Sequence, residues 1–247
     1  MRVRCAFVFL LFILSNRNTQ AQTVAYGLLS SYGQYRLNQT ESRIGQYIAR
    51  ASDTQVLDMW RVGAFARIPS SNHPDWSLQV EAYRSGRNAF IQLENTTPDP
   101  SGYPDWIISS PSLQIRRYEL ASFVSVKPFG GPIRLLAGPA VGYSPRRELL
   151  RRNADWPEGA VSYPYRKIEI DMVRGINRGV VGFQAGVGVD IWRTTLDIRR
   201  ETNITPITRQ VSHNGHVYPT RLTGNTWLLT LGFRIIDPDH SKKPAAH

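Results

Sequence analysis

Hydrophobic and polar residues alternate along most of this chain with a period of two, the pattern of an extended strand with one apolar side. The last segment shows it plainly: Trp227, Leu229, Leu231, Phe233 and Ile235 share one face, with Thr230, Gly232 and Arg234 on the other. Earlier segments repeat it. Trp60, Val62, Ala64, Ala66 and Ile68 oppose Arg61, Gly63, Phe65 and Arg67, and Trp76, Leu78, Val80 and Ala82 oppose Ser77, Gln79, Glu81 and Tyr83. Tyr118, Leu120, Ser122, Val124 and Val126 alternate with Glu119, Ala121, Phe123, Ser125 and Lys127. Ile133 to Ser144 continues the series, and Val181 to Ile191 carries Gly182, Gln184, Gly186, Gly188 and Asp190 on its polar side. With the Tyr- and Gly-rich Val24 to Arg36 and the shorter Leu196 to Glu201, the pattern predicts about eight strands, each near the roughly 9–11 residues that cross a bilayer at a tilt. Pro139 falls inside the fifth strand, where its missing N–H predicts a bulge.

The links between these segments alternate in length. Pro69 to Asp75, Pro128 to Pro132 and Arg193-Thr194 are short, whereas Leu37 to Met59, Arg87 to Arg117, Pro145 to Arg178 and Asn203 to Asn225 are long. Such alternation puts every short turn at one end of a barrel and every long loop at the other. The expected fold is all-β: an eight-stranded antiparallel up-and-down transmembrane β-barrel with short periplasmic turns and four long extracellular loops. A soluble barrel of the lipocalin type shares the period but turns its apolar face inward. Aromatic placement favours the membrane form, because Trp60, Trp76, Tyr118, Tyr143 and Trp227 stand near strand ends on the apolar face, where interfacial girdles belong.

The N-terminus changes the picture by supplying a route to an envelope. Arg2 and Arg4 precede the apolar run Ala6 to Leu14, and Thr19-Gln20-Ala21 offers small residues before a cut at Gln22. Residues 1–21 therefore read as a signal peptide, too short in its apolar part to span a bilayer as a helix. Residues 22–236 form the expected barrel, and the polar 237–247 a disordered periplasmic tail. Cys5, the only cysteine, lies within the signal, so no disulfide, thiolate nucleophile or cysteine metal site belongs to the exported chain. The formal charge of +11 falls to +8 once Arg2, Arg4 and Arg17 leave. After export that excess points to acidic lipid headgroups or surface sugars and away from nucleic acid.

Candidate functional residues follow from the two faces. Arg61, Arg67, Glu81, Glu119, Lys127, Arg134, Asp190, Asp197, Arg199, Glu201 and Arg234 fall on the polar side and so into the lumen. A barrel of this size is just wide enough to be filled by side chains, and buried charges need partners. An ion-pair plug is expected, with a conducting or proton-relay path the alternative; Arg234 is expected to meet a carboxylate. The third long loop is the most basic segment, and its Arg146, Arg147, Arg151, Arg152, Arg166 and Lys167 are the expected contacts for anionic lipid, lipopolysaccharide included. An enzyme of the outer rim would need a base beside a nucleophile. The suggestive cluster is Ser212, His213 and His216 of the fourth loop, with Asp155 from the third. No enzyme motif surrounds them, and two histidines without a third ligand make no metal signature. No cofactor is expected.

Gly138-Pro139-Ala140-Val141-Gly142-Tyr143-Ser144, following the strand–turn–strand Tyr118 to Leu136, resembles the AGP-x-x-GY segment of the outer-membrane β-barrel domain family of Bacteroidota, the PorT-like family. The resemblance continues through Gly182 to Trp192, Leu196 to Asn203 and Leu229 to Ile235. Two departures stand out: Leu120-Ala121 replaces the usual Ile-Pro, and the chain runs on past Ile235. The resemblance implies a fold, an outer-membrane location and insertion by the barrel-insertion machinery. It implies no uniform activity. The expected role is a non-enzymatic scaffold displaying basic loops. The alternatives are a component of a secretion or surface-assembly complex of the envelope, a rim enzyme and a soluble ligand-binding barrel.

Overall fold

A computed structural model describes residues 24–39, 42–51, 57–96, 112–145, 147–150 and 163–236. The expected signal, residues 1–21, and the tail, 237–247, lie outside them. Eight long strands carry the alternation: β1 (Ala25–Gln39), β4 (Leu57–Pro69), β5 (Trp76–Asn95), β6 (Ser112–Val126), β7 (Ile133–Tyr143), β9 (Gly179–Ile191), β10 (Thr194–Asn203) and β12 (His216–Ile236). Each pairs antiparallel with its neighbour, β1–β4–β5–β6–β7–β9–β10–β12, and β12 returns to β1. The ring is closed, so no barrel strand leaves a bare edge.

The two faces separate cleanly. Trp60, Trp76, Tyr118, Tyr143 and Trp227 all point outward, as do Leu231 and Phe233, and all are 46–59% exposed. Over the half nearer the short turns the inward set mixes charged side chains with a smaller apolar cluster that includes Leu29, Phe65, Phe123 and Leu136. Toward the other end it becomes apolar: Tyr35, Leu37, Met59, Ile115, Val180, Leu222 and Leu228 join one buried cluster.

That cluster is completed by elements the periodicity does not predict. Strands β2 (Ser42–Ile44) and β3 (Tyr47–Ala51) form a hairpin that adds to β5, and β8 (Arg147–Leu150) adds to β6. β11 (Thr208–His213) folds onto the start of β12 through Asn214-Gly215, both at positive φ, the backbone a tight type I′ hairpin turn requires. One helix, α1 (Tyr163–Gly175), packs against β11 and β8. Its Ile168 and Met172, one turn apart, and Ile176 just beyond are buried in the cluster. Much of the expected loop length is thus a folded cap over one end of the barrel.

Pro139 is a correction. No bulge forms: β7 pairs residue for residue with β9 through Pro139↔Phe183, and its register with β6 is the same on both sides of the proline. The ring faces outward, and the β6 ladder skips two residue pairs, Ser122 with Pro139 and Phe123 with Gly138. The neighbouring Gly138 allows the close approach, since a Cβ there would sit 1.8 Å from the Ser122 carbonyl oxygen.

Candidate functional site

The lumen holds two tiers of ion pairs, one above the other, with Arg61 of one lying over the Tyr83 ring of the other. In the tier nearer the cap, Arg61 and Arg87 face Glu119 and Glu201 from four strands. Arg61 Nη2 lies 2.9 Å from Glu119 Oε2 and donates to Glu201 Oε2, while Arg87 Nη2 reaches Glu119 Oε1 at 2.9 Å and Glu201 Oε1 at 3.1 Å. Ser85 Oγ and Gln184 Nε2 donate to the same carboxylates at 2.6 and 3.1 Å. Each acid therefore bridges both cations, and each cation bridges both acids.

The second tier lies toward the short turns. Arg199 grips Glu81 with both terminal nitrogens, at 2.6 and 2.8 Å, and turns Nη2 to Asp197 at 2.5 Å. Tyr83 also donates to Glu81. Arg134 reaches Asp197 at 2.5 Å, Thr195 at 2.9 Å and Gln79 at 2.9 Å. Gln79 Oε1 accepts from Arg67 as well, and Arg67 Nη1 donates to Asp190 Oδ2 at 2.9 Å. The fork–fork geometry and shared acceptors offset the cost of burying so many charges, which isolated ions in this space would not survive.

The structure places the predicted lumen residues as follows beyond the two tiers. Lys127 stands at the open edge, partly exposed and 3.5 Å from Asp190. Arg234 gives Nη2 to the backbone carbonyl of Trp192. Sequence reading missed Arg87 and Arg117, both buried in the lumen, because they stood at the edges of an expected loop. The signal was present: Arg87 continues the inward parity of Glu81, Tyr83 and Ser85, and Arg117 that of Glu119. Seven buried arginines outnumber the five inward carboxylates Glu81, Glu119, Asp190, Asp197 and Glu201, so ion pairs alone do not use every guanidinium face. Aromatic rings take up part of the rest: Arg87 lies 5.2 Å from the centre of Tyr35, Arg61 5.5 Å from Tyr83 and Arg199 4.8 Å from Phe123.

The other candidates scatter. Arg146, Arg151, Arg152 and Asp155 lie outside the described residues. Arg147 belongs to β8 and Arg166 to α1, and the exposed Lys167 gives its ammonium to Asn214 Oδ1 at 2.6 Å. His213 is buried, with Nδ1 2.9 Å from Asp171 Oδ2 of α1, while Ser212 is exposed on the opposite side of β11. His213 thereby meets Asp171, an acid the sequence did not single out, and among the described residues no serine hydroxyl bonds it; it ties the helix to the hairpin. Among the described residues no cluster of three or more His, Asp or Glu is placed to hold a metal ion.

No protein-family model and no curated protein matches the sequence. Solved structures do resemble it distantly. The outer-membrane protein OprG from Pseudomonas aeruginosa gives a TM-score of 0.47 at 8% identity, covering 89% of this chain and 99% of its own. The outer-membrane protein AlkL, solved in lipid bilayers, gives 0.43 at 12%, covering 94% and 98%. Ail of Yersinia pestis, in complex with the heparin analogue sucrose octasulfate, gives 0.41 at 11%, covering 86% and 99%. Likenesses this distant assign no ligand or role, and the barrel stands on its own closed hydrogen-bond ladder.

Proposed function

We propose that this chain is an integral outer-membrane β-barrel that is sealed by its own ion pairs and serves, without enzymatic activity, as a scaffold for a folded cap. One observation carries the reading: the barrel is inside-out. Its wall is apolar and ends in aromatics, while its interior carries two tiers of buried charged side chains, the reverse of a soluble ligand-binding barrel. In water such a wall would expose far more contiguous apolar surface than soluble monomers tolerate. In lipid it is satisfied, and closure leaves no open strand edge in the wall.

The sealed lumen supports a structural role over a conducting one, because both tiers are cross-braced by multiply shared carboxylates. Signal-dependent export through residues 1–21, placement by the barrel-insertion machinery and kinship to the PorT-like group complete the proposal, on the motifs from Gly138 to Ser144 and at the closing strand. The short turns then face the periplasm and the cap faces outward, where Arg146, Arg147, Arg151, Arg152, Arg166 and Lys167 would meet lipopolysaccharide.

The test is extraction and electrophoresis. Membranes washed with salt and carbonate should retain the protein, and detergent extracts should give a band whose mobility changes on boiling. A monodisperse protein in detergent-free buffer would sink the proposal.

A further inference from the structure

We propose that Arg84, Arg116 and Arg200, with Arg36 beside them, form a belt on the outer wall that binds the phosphate groups of anionic lipid in the leaflet around the capped end. The inference rests on the membrane reading above. It differs from the third-loop contacts in residues and in depth.

All four arginines are exposed and share the outward parity of the apolar wall. Three of them sit at the girdle itself. Arg84 is directly opposite Tyr118 across the β5–β6 ladder, and Tyr118 is opposite Tyr143. Arg116 is opposite Gly86, which is opposite Trp60 and lies against that indole, a Cβ at Gly86 coming within 2.7 Å of Trp60 Nε1. Arg200 is opposite Trp227, its guanidinium 5.9 Å from the ring centre. Arg36 continues β1 two residues beyond Gln34, the partner of Trp227.

Charge is unmatched there. Among the described residues none of these four makes an ion pair, whereas Arg61, Arg67, Arg87, Arg134 and Arg199 in the lumen all pair with carboxylates. Asp58, an outward carboxylate of this zone, accepts from the Tyr32 hydroxyl at 2.5 Å. At the other end the cations are held internally: Lys127 is drawn to Asp190, and Arg193 lies over Trp192 at 5.4 Å. An arginine level with interfacial aromatics is at headgroup depth, where its stem lies along apolar wall and its fork reaches phosphate oxygens. A soluble polyanion would meet the cap first. This position commits the belt to lipid.

The experiment uses the mature full chain in nanodiscs of phosphatidylcholine alone or with phosphatidic acid. The readouts are the unfolding midpoint, followed by heat-modifiable mobility, and the lipids retained in native mass spectrometry. Wild-type protein should gain roughly 5 °C with phosphatidic acid and retain it through desolvation. The triple variant Arg84→Gln/Arg116→Gln/Arg200→Gln should insert equally well but lose both effects, while Arg43→Gln/Arg209→Gln on the cap should keep them. An unchanged rise in the triple variant would overturn the belt, as would an equal loss in the cap control. Should the glutamine variant fail to assemble, the Arg→Lys triple, with charge but no fork, is read instead, and an undiminished rise there would also overturn it. A rise produced in phosphatidylcholine discs by soluble sulfated polysaccharide, and not by phosphatidic acid, would replace lipid with a sugar partner. Failure to insert into any disc would remove the membrane reading itself, a result distinct from loss of the lipid effect.

Discussion

Glu201 is the residue on which the inner seal converges, since Arg61, Arg87 and Gln184 all donate to it. Glu201→Gln keeps its shape but strips a charge from two buried cations, and removing one partner of a buried pair costs roughly 3–5 kcal/mol. We expect a lower urea midpoint in detergent by that amount; a change below about 1 kcal/mol would mean that water already shields the site. That Glu201 points inward was legible from its parity with Asp197 and Arg199. That it bridges arginines on β4 and β5 was not, because those strands lie far away in sequence and only closure brings them together. Arg87 shows the same limit from the other side. Its alternation was readable, but the break into an expected loop hid it. Gly138 is legible only as a small residue; its need for smallness comes from the Ser122 carbonyl of the neighbouring strand.

At the scale of elements, α1 is the piece most open to a direct test. Ile168 and Met172 anchor it in the cap, and Asp171 holds His213. Ile168→Asp/Met172→Asp should unseat the helix and leave the barrel intact. The expected outcome is rapid tryptic cleavage at Lys167 or Arg174 with unchanged heat-modifiable mobility. Loss of that mobility would show that the cap is required for the barrel to form. The helix had a sequence signature in the spacing of Ile168, Met172 and Ile176, with Pro164 near its start and Gly175 at its end. Asn214-Gly215 likewise announced a hairpin whose arms continue β12 well beyond the membrane-length segment.

For the whole molecule, the decisive property is which face meets lipid. Leu231 lies midway along the outer stripe of β12, between Leu196 and Ser30 on the neighbouring strands. Leu231→Arg should cost about 2–4 kcal/mol in bilayers, the penalty for a cation on the lipid face near mid-membrane. In a soluble barrel the same exposed position would tolerate arginine, so a neutral result would contradict the membrane reading. The reconstituted wild-type protein should also show no steady conductance in planar bilayers. Discrete open levels would mean that the two tiers part far enough to pass ions.

The sequence by itself determined that this chain makes strands with two unlike faces, their order and their approximate number, because side-chain direction alternates with every residue whatever the strand pairs with. It also determined which charges share a face. Period alone is the same for a barrel with its apolar side in or out; the aromatics at strand ends pointed to the apolar side facing out, and the tertiary structure shows it by closing the sheet around the arginines and carboxylates. Closure likewise decided which of them meet, which arginines stay outside beside the girdle, and how the long connections fold into a cap. Those relations join residues separated by most of the chain, and no local pattern encodes a distance across a ring.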